Sequence, residues 1–132
     1  MARSIIFDGE PAAVKWPVIR GDDENLVLYF GEYGTGFTTD GDGQQIPDTP
    51  LDLTGRTYTS SVANTRGGTV ILQPTVTVTD AANGIVTISM TDTQTDLLTG
   101  HIYIWDLVEN PATSSESTLI VGEMRVSGRA TV

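Results

Sequence analysis

The residues of this chain that could do chemistry are carboxylates, one imidazole, hydroxyls and a few aromatic rings. Asp40-Gly41-Asp42-Gly43 sets two carboxylates at alternating positions, as a calcium loop begins. The pattern then fails: its fifth position is Gln44, and its twelfth, where a bidentate glutamate belongs, is Leu51. Asp40 and Asp42 are metal-ligand candidates set against a solvated glycine turn, and no cofactor is expected. Asp22-Asp23-Glu24 poses the same choice between a cation site and a turn that keeps its neighbouring strands soluble. His101 is the single histidine, which excludes any site needing two imidazoles. Asp106 is its possible acid partner, but five residues along a strand put the two on opposite faces. A hydrolytic triad needs nucleophile, base and orienting acid in fixed geometry, and no G-x-S-x-G elbow occurs. Asp52, Asp106 and Glu123 lie in or beside apolar strands, where pairing with Arg56, Arg125 or Arg129 competes with paired-carboxylate chemistry. The chain has no cysteine, so disulfides, thiolate zinc sites and cysteine nucleophiles are excluded. The expectation is a protein that is not an enzyme.

Among the aromatic residues, Trp105 sits in an apolar strand and reads as core, whereas Tyr33 and Phe37 fall in a polar stretch and are candidates for exposed contact. Such rings are also what a carbohydrate-binding module would use.

The elements that must position these groups belong to one domain, since 132 residues and 14.1 kDa support a single core. Seventeen acidic residues against 7 basic ones give a net charge of -10, which repels phosphate backbones and anionic headgroups. Nucleic acid and membranes are therefore not expected partners. No apolar run is long enough for a secretory signal or a membrane span. Only 18% of residues are charged, and a threonine-rich, low-charge surface suits contact with other proteins.

Short apolar stretches separated by turn chemistry predict strands at 14–20, 26–30, 56–62, 70–79, 85–90, 102–108 and 119–127. Pro17 assigns the first to an edge. Between them, 31–50 is rich in Gly, Thr, Asp and Gln and reads as a long loop, a feature uncommon inside a compact domain and often functional. Val70 to Thr79 reads as one strand, broken near its start by Pro74. Thr91 and Gln94 form a capping box opening a short helix over 91–98, with Leu97 and Leu98 as its apolar anchor and Gly100 as its left-handed stop. The sum is an all-β fold, an antiparallel immunoglobulin-like β-sandwich of about seven to eight strands with one short helix, spanning 14–132. Residues 1–13 form an N-terminal arm. Its apolar Ile5, Ile6 and Phe7 either fray or add a strand to a neighbour's sheet edge.

Several segments in order carry a resemblance: Trp16-Pro17-Val18-Ile19-Arg20-Gly21-Asp22, Leu51-Asp52-Leu53-Thr54-Gly55, Asn83-Gly84-Ile85-Val86-Thr87-Ile88, Thr91 to Leu98 and Gly100 to Leu107. Most specific are D-L-T-G and the T-x-x-Q-T-x-x-L run leading into Y-x-W-D. The chain resembles the β-sandwich domain of tailed-bacteriophage virion proteins, such as the baseplate upper protein N-terminal domain and the long-tail-fibre proximal connector group. The resemblance implies a structural subunit at the tail tip, baseplate or fibre attachment, docking on other phage subunits and identical copies. It further implies location in the virion, and in the host cytoplasm during assembly. With no stalk or receptor domain after Val132, it implies an adaptor or surface subunit. A capsid decoration protein and a carbohydrate-binding or adhesion module are the alternatives.

Overall fold

A computed structural model describes residues 12–32, 34–43, 45–111 and 113–128, together with the backbone of residues 2–6. The strands are β1 (Ala2–Ile6), β2 (Trp16–Ile19), β3 (Glu24–Gly31), β4 (Phe37–Thr39), β5 (Gln45–Pro47), β6 (Tyr58–Ala63), β7 (Val70–Leu72), β8 (Thr75–Asp80), β9 (Ile85–Met90), β10 (Ile102–Glu109) and β11 (Ser117–Ser127). One short helix, α1 (Asp92–Asp96), lies between β9 and β10. A four-stranded sheet runs β1-β3-β9-β8, and a five-stranded sheet runs β2-β11-β10-β6-β7. All pairings are antiparallel except β1 on β3 and β2 on β11.

The order β3-β9-β8 facing β11-β10-β6 matches the B-E-D and G-F-C strands of an immunoglobulin sandwich, with β7 added beside C. The corner before the F-type strand carries the matching fastener: the Gly100 N–H donates to the Tyr103 hydroxyl at 2.6 Å, as in a tyrosine corner. Two residues on, where antibody domains place a cysteine, stands Trp105, fully buried and edge-on to Trp16 with ring centroids 5.4 Å apart.

Alternation builds the core. Leu26, Leu28 and Phe30 of β3, Val86, Ile88 and Met90 of β9, and Tyr103, Trp105 and Leu107 of β10 all point inward and are buried, while their neighbours face out. Pro17 is exposed on the edge strand β2, where its missing N–H costs no ladder bond.

The structure corrects four expectations. Residues 70–79 are two strands: β7 stays in the five-stranded sheet and β8 joins the other. The chain changes sheets at Gln73-Pro74, where a residue without an N–H cannot carry the ladder forward. The 31–50 stretch is not structureless, because β4 and β5 form a hairpin within it. Three-residue strands are too short to show a period of two in sequence. Its base is pinned by the Gly31–Pro50 bridge and by the Glu32 N–H donating to the Thr49 carbonyl at 2.9 Å. Third, only Leu98 of the helical leucines is buried, and Leu97 is 56% exposed. Gly100 does not take the left-handed conformation, and the helix closes on Leu97 in a right-handed one. The capping box itself is present, with the Gln94 N–H donating to Thr91 Oγ1 at 3.2 Å and the Thr91 N–H to Gln94 Oε1 at 2.9 Å. Fourth, the arm adds its strand to its own sheet, with Ile5 and Ile6 paired in register with Phe30 and Gly31 of β3.

Candidate interaction surfaces

The segments with the most distinctive spacing meet at the two ends of the sandwich, and there they act as fasteners. At the helix end, Thr95 is buried; its hydroxyl donates to the Asp22 carbonyl at 2.8 Å and accepts the Gly21 N–H at 3.0 Å. Arg20 reaches the same corner, donating from Nε to the Leu98 carbonyl at 2.7 Å and from Nη2 to the Gly100 carbonyl at 3.1 Å. The Asp23 carboxylate accepts the Asp92 N–H at 2.7 Å at the helix start, where the dipole favours an anion. The carboxylates of Asp23 and Glu24 thus serve this turn: Glu24 also accepts the Ile19 N–H at 2.9 Å.

At the opposite end, Asp52 Oδ1 accepts from both the N–H and the hydroxyl of Thr54, which holds its carboxyl below the usual carboxylate range. Leu53 is buried beneath this turn, and its N–H donates to the Ala81 carbonyl at 2.8 Å. Arg56 forms an ion pair with Glu109 at 2.9 Å, a partner that sequence did not indicate because 53 residues separate them. Glu123 pairs with Arg125, one of the partners the sequence offered, two residues along the same strand face.

Tyr58 stands beside this pair. Burial pushes its hydroxyl pKa up, and the nearby Glu109 charge adds to the shift. Its Oη is buried without a hydrogen-bond partner among the described residues. A buried polar atom without a partner lowers stability, so Tyr58→Phe is expected to be neutral or to stabilise by up to about 1 kcal/mol. Urea unfolding measures it, and a lower midpoint at unchanged slope contradicts it.

The outer face of the five-stranded sheet carries an open groove of about 470 Å³, lined by Ser61, Ala63, Arg66, Ile104, Asp106 and Val121 among others. Asp106 accepts the Ser61 N–H at 2.9 Å, yet desolvation outweighs that bond and raises its pKa. A carboxyl whose folded pKa lies above its unfolded value destabilises the fold while ionised, and the penalty is relieved as pH falls through the folded pKa. Asp106→Asn, which keeps an acceptor for Ser61, is therefore expected to raise the melting temperature at pH 7, with the gain shrinking toward pH 4. A gain that is absent at pH 7, or larger at pH 4, refutes this.

The other sequence candidates are dispersed. Asp40 lies in the exposed turn of the β4–β5 hairpin, its Oδ1 accepting the Asp42 N–H at 2.9 Å. Among the described residues no three His, Cys, Asp or Glu side chains cluster as a metal site. Phe37 opens β4, opposite Pro47, and is 36% exposed. Phe7 and Tyr33 lie outside the described residues. His101 is exposed just before β10, and its carbonyl accepts the Val126 N–H at 2.8 Å. Ile102, beside it, is 51% exposed. Among the described residues no helix is long and apolar enough to cross a membrane.

No family model matches the sequence, and no curated protein matches it. Among solved structures, the fold is similar to that described as the N-terminal domain of phage TP901-1 ORF48. The TM-score is 0.54 at 16% identity, over 96% of this chain and 98% of that one. At that identity the likeness is one of fold, over nearly the whole of both chains.

Proposed function

We propose that this chain is a non-enzymatic structural subunit of a tailed-bacteriophage virion, docking on neighbouring subunits at the tail tip, baseplate or fibre attachment. The observation that carries the reading is the end-to-end likeness to the phage domain, which extends to 98% of that domain's length. The chain's distinctive residues support it. Thr91, Gln94, Thr95 and Arg20 fasten one end, and Asp52, Leu53, Arg56 and Glu109 fasten the other. They are used up in holding the sandwich, and what remains outside is strand edges, sheet faces and the β4–β5 hairpin. These are the parts by which a brick-like domain meets its neighbours. The net charge of -10 argues against nucleic acid as partner and for protein surfaces bearing compensating positive charge. No reaction is assigned to His101 or Asp106. His101 precedes β10, and the Asp106 carboxylate is engaged by the Ser61 backbone. Mass spectrometry of purified particles of the phage or prophage that encodes the chain tests the proposal. Stoichiometric presence supports it, and absence from particles rejects it.

A further inference from the structure

We propose that the free edge of β8 is a self-association edge, where two copies of this chain pair antiparallel about a twofold axis through Thr77. The pairing would join their four-stranded sheets into one. β8 ends its sheet, bonded on one side to β9 and, among the described residues, unpaired on the other. Natural edges are blunted by proline, lysine, bulges or shortness. Of the other edges, β2 carries Pro17 and follows directly on Lys15, β7 is only three residues long, and β1 carries Arg3. β8 has neither proline nor lysine within it; Pro74 stands just before it, and its one irregularity, a register shift on β9 between Val78 and Asp80, lies at its C-terminal end, leaving Thr75 to Val78 as a regular edge.

Its sequence also suits a twofold axis. Thr75-Val76-Thr77-Val78-Thr79 reads the same in both directions. Antiparallel pairing centred on Thr77 sets Val76 against Val78 in the regular part of the strand and Thr75 against Thr79, the residue at the register shift, so each side chain meets its own kind. Thr75, Thr77 and Thr79 are exposed on the outer face, whereas Val76 and Val78 turn toward the core and are only half-buried at this open margin. A second copy's strand would complete their burial.

Electrostatics selects the same place. Copies carrying a net charge of -10 repel wherever carboxylates face each other. From Gly67 to Thr91 the sole charged residue is Asp80. The adjoining outward residues of β9 and β3 include Thr87, Ser89, Val27 and Tyr29, all uncharged. In the proposed register the two Asp80 residues fall at opposite ends of the new ladder. Six residues of strand then separate them, about 20 Å, well beyond the screening length of about 8 Å at physiological salt. The inference is independent of the virion reading: the state of the isolated chain tests one, and the content of particles tests the other.

The chain's lack of cysteine supplies the test. Thr77→Cys and Thr79→Cys each introduce a sole thiol, and diamide can take up the two electrons and two protons released when two thiols join. The Thr77 pair would meet on the axis, whereas the Thr79 pair would lie about 14 Å apart. Thr77→Cys is therefore expected to cross-link into dimers on the order of tenfold faster. Wild-type chain is expected to sediment as a dimer at tens of micromolar, and Thr77→Lys as a monomer whose melting temperature equals that of wild-type chain diluted below its dimer range. Three results overturn the proposal: wild-type chain monomeric up to about 1 mM, equal cross-linking at 77 and 79, or a dimer that survives Thr77→Lys.

Discussion

Gly122→Ala is expected to lower the melting temperature by roughly 15 °C or to abolish folding, a loss of about 4 kcal/mol or more. Gly122 lies opposite Trp105 in the β10–β11 ladder. The Trp105 indole crosses over it to donate from Nε1 to the Val14 carbonyl at 3.0 Å. A Cβ at this position would stand 2.0 Å from the Val14 oxygen and 2.7 Å from Trp105 Nε1. Neither neighbour can give way cheaply. Val14 is held next to the Ala12 bridge to Ile120, and Trp105 is fully buried against Trp16. Relief would break a buried hydrogen bond and open the tryptophan core, and each is a recognised route to a large destabilisation. Thermal unfolding followed by tryptophan fluorescence measures it. A variant that melts within about 3 °C of wild type contradicts the crowding argument.

Gly84→Ala is expected to cost about 3 kcal/mol or more. Gly84 has a φ of +70°, in the left-handed region that penalises a side chain. It is also where three segments meet. Its carbonyl accepts the Phe30 N–H at 2.9 Å, and the Phe30 carbonyl accepts the Leu51 N–H at 2.9 Å. An added Cβ would lie 2.5 Å from the Phe30 oxygen and 2.7 Å from the Leu51 oxygen. Gly43, at φ +83° in the hairpin turn, supplies the control, because a Cβ there meets nothing within 4 Å. Gly43→Ala carries the conformational cost alone and is expected to lose about 1–2 kcal/mol. If the two variants lose the same amount in urea unfolding, the close approach at Gly84 has no energetic weight.

These two glycines mark the limit of what could be read in advance. Strands with clean alternation, such as Val86-Thr87-Ile88-Ser89-Met90, declare their buried face, because one face must be apolar to form a core. The capping box of Thr91 and Gln94 is legible because its partners lie three residues apart. Asn83-Gly84 signals a turn, but nothing local reveals that β3 and Leu51 close on it. Gly122 gives no local signal at all, since the tryptophan that crosses it comes from another strand. The Arg56–Glu109 pair and the reach of Arg20 to Leu98 and Gly100 are likewise long-range. Pro74 is visible in sequence, but that the chain changes sheets there depends on which edge is free to receive β8. Of the exposed candidates, Phe37 was legible as a residue in a polar stretch. The hairpin that carries it was hidden by the shortness of β4 and β5.

The central claim is that this sandwich works by standing in an assembly. Under the proposed function the chain is encoded by a phage or prophage, and mass spectrometry of density-purified particles from that source tests the claim most directly. The account predicts peptides of this chain at a fixed ratio to the other tail proteins, retained after high-salt washing. Particles that infect normally and contain none of it would contradict the account.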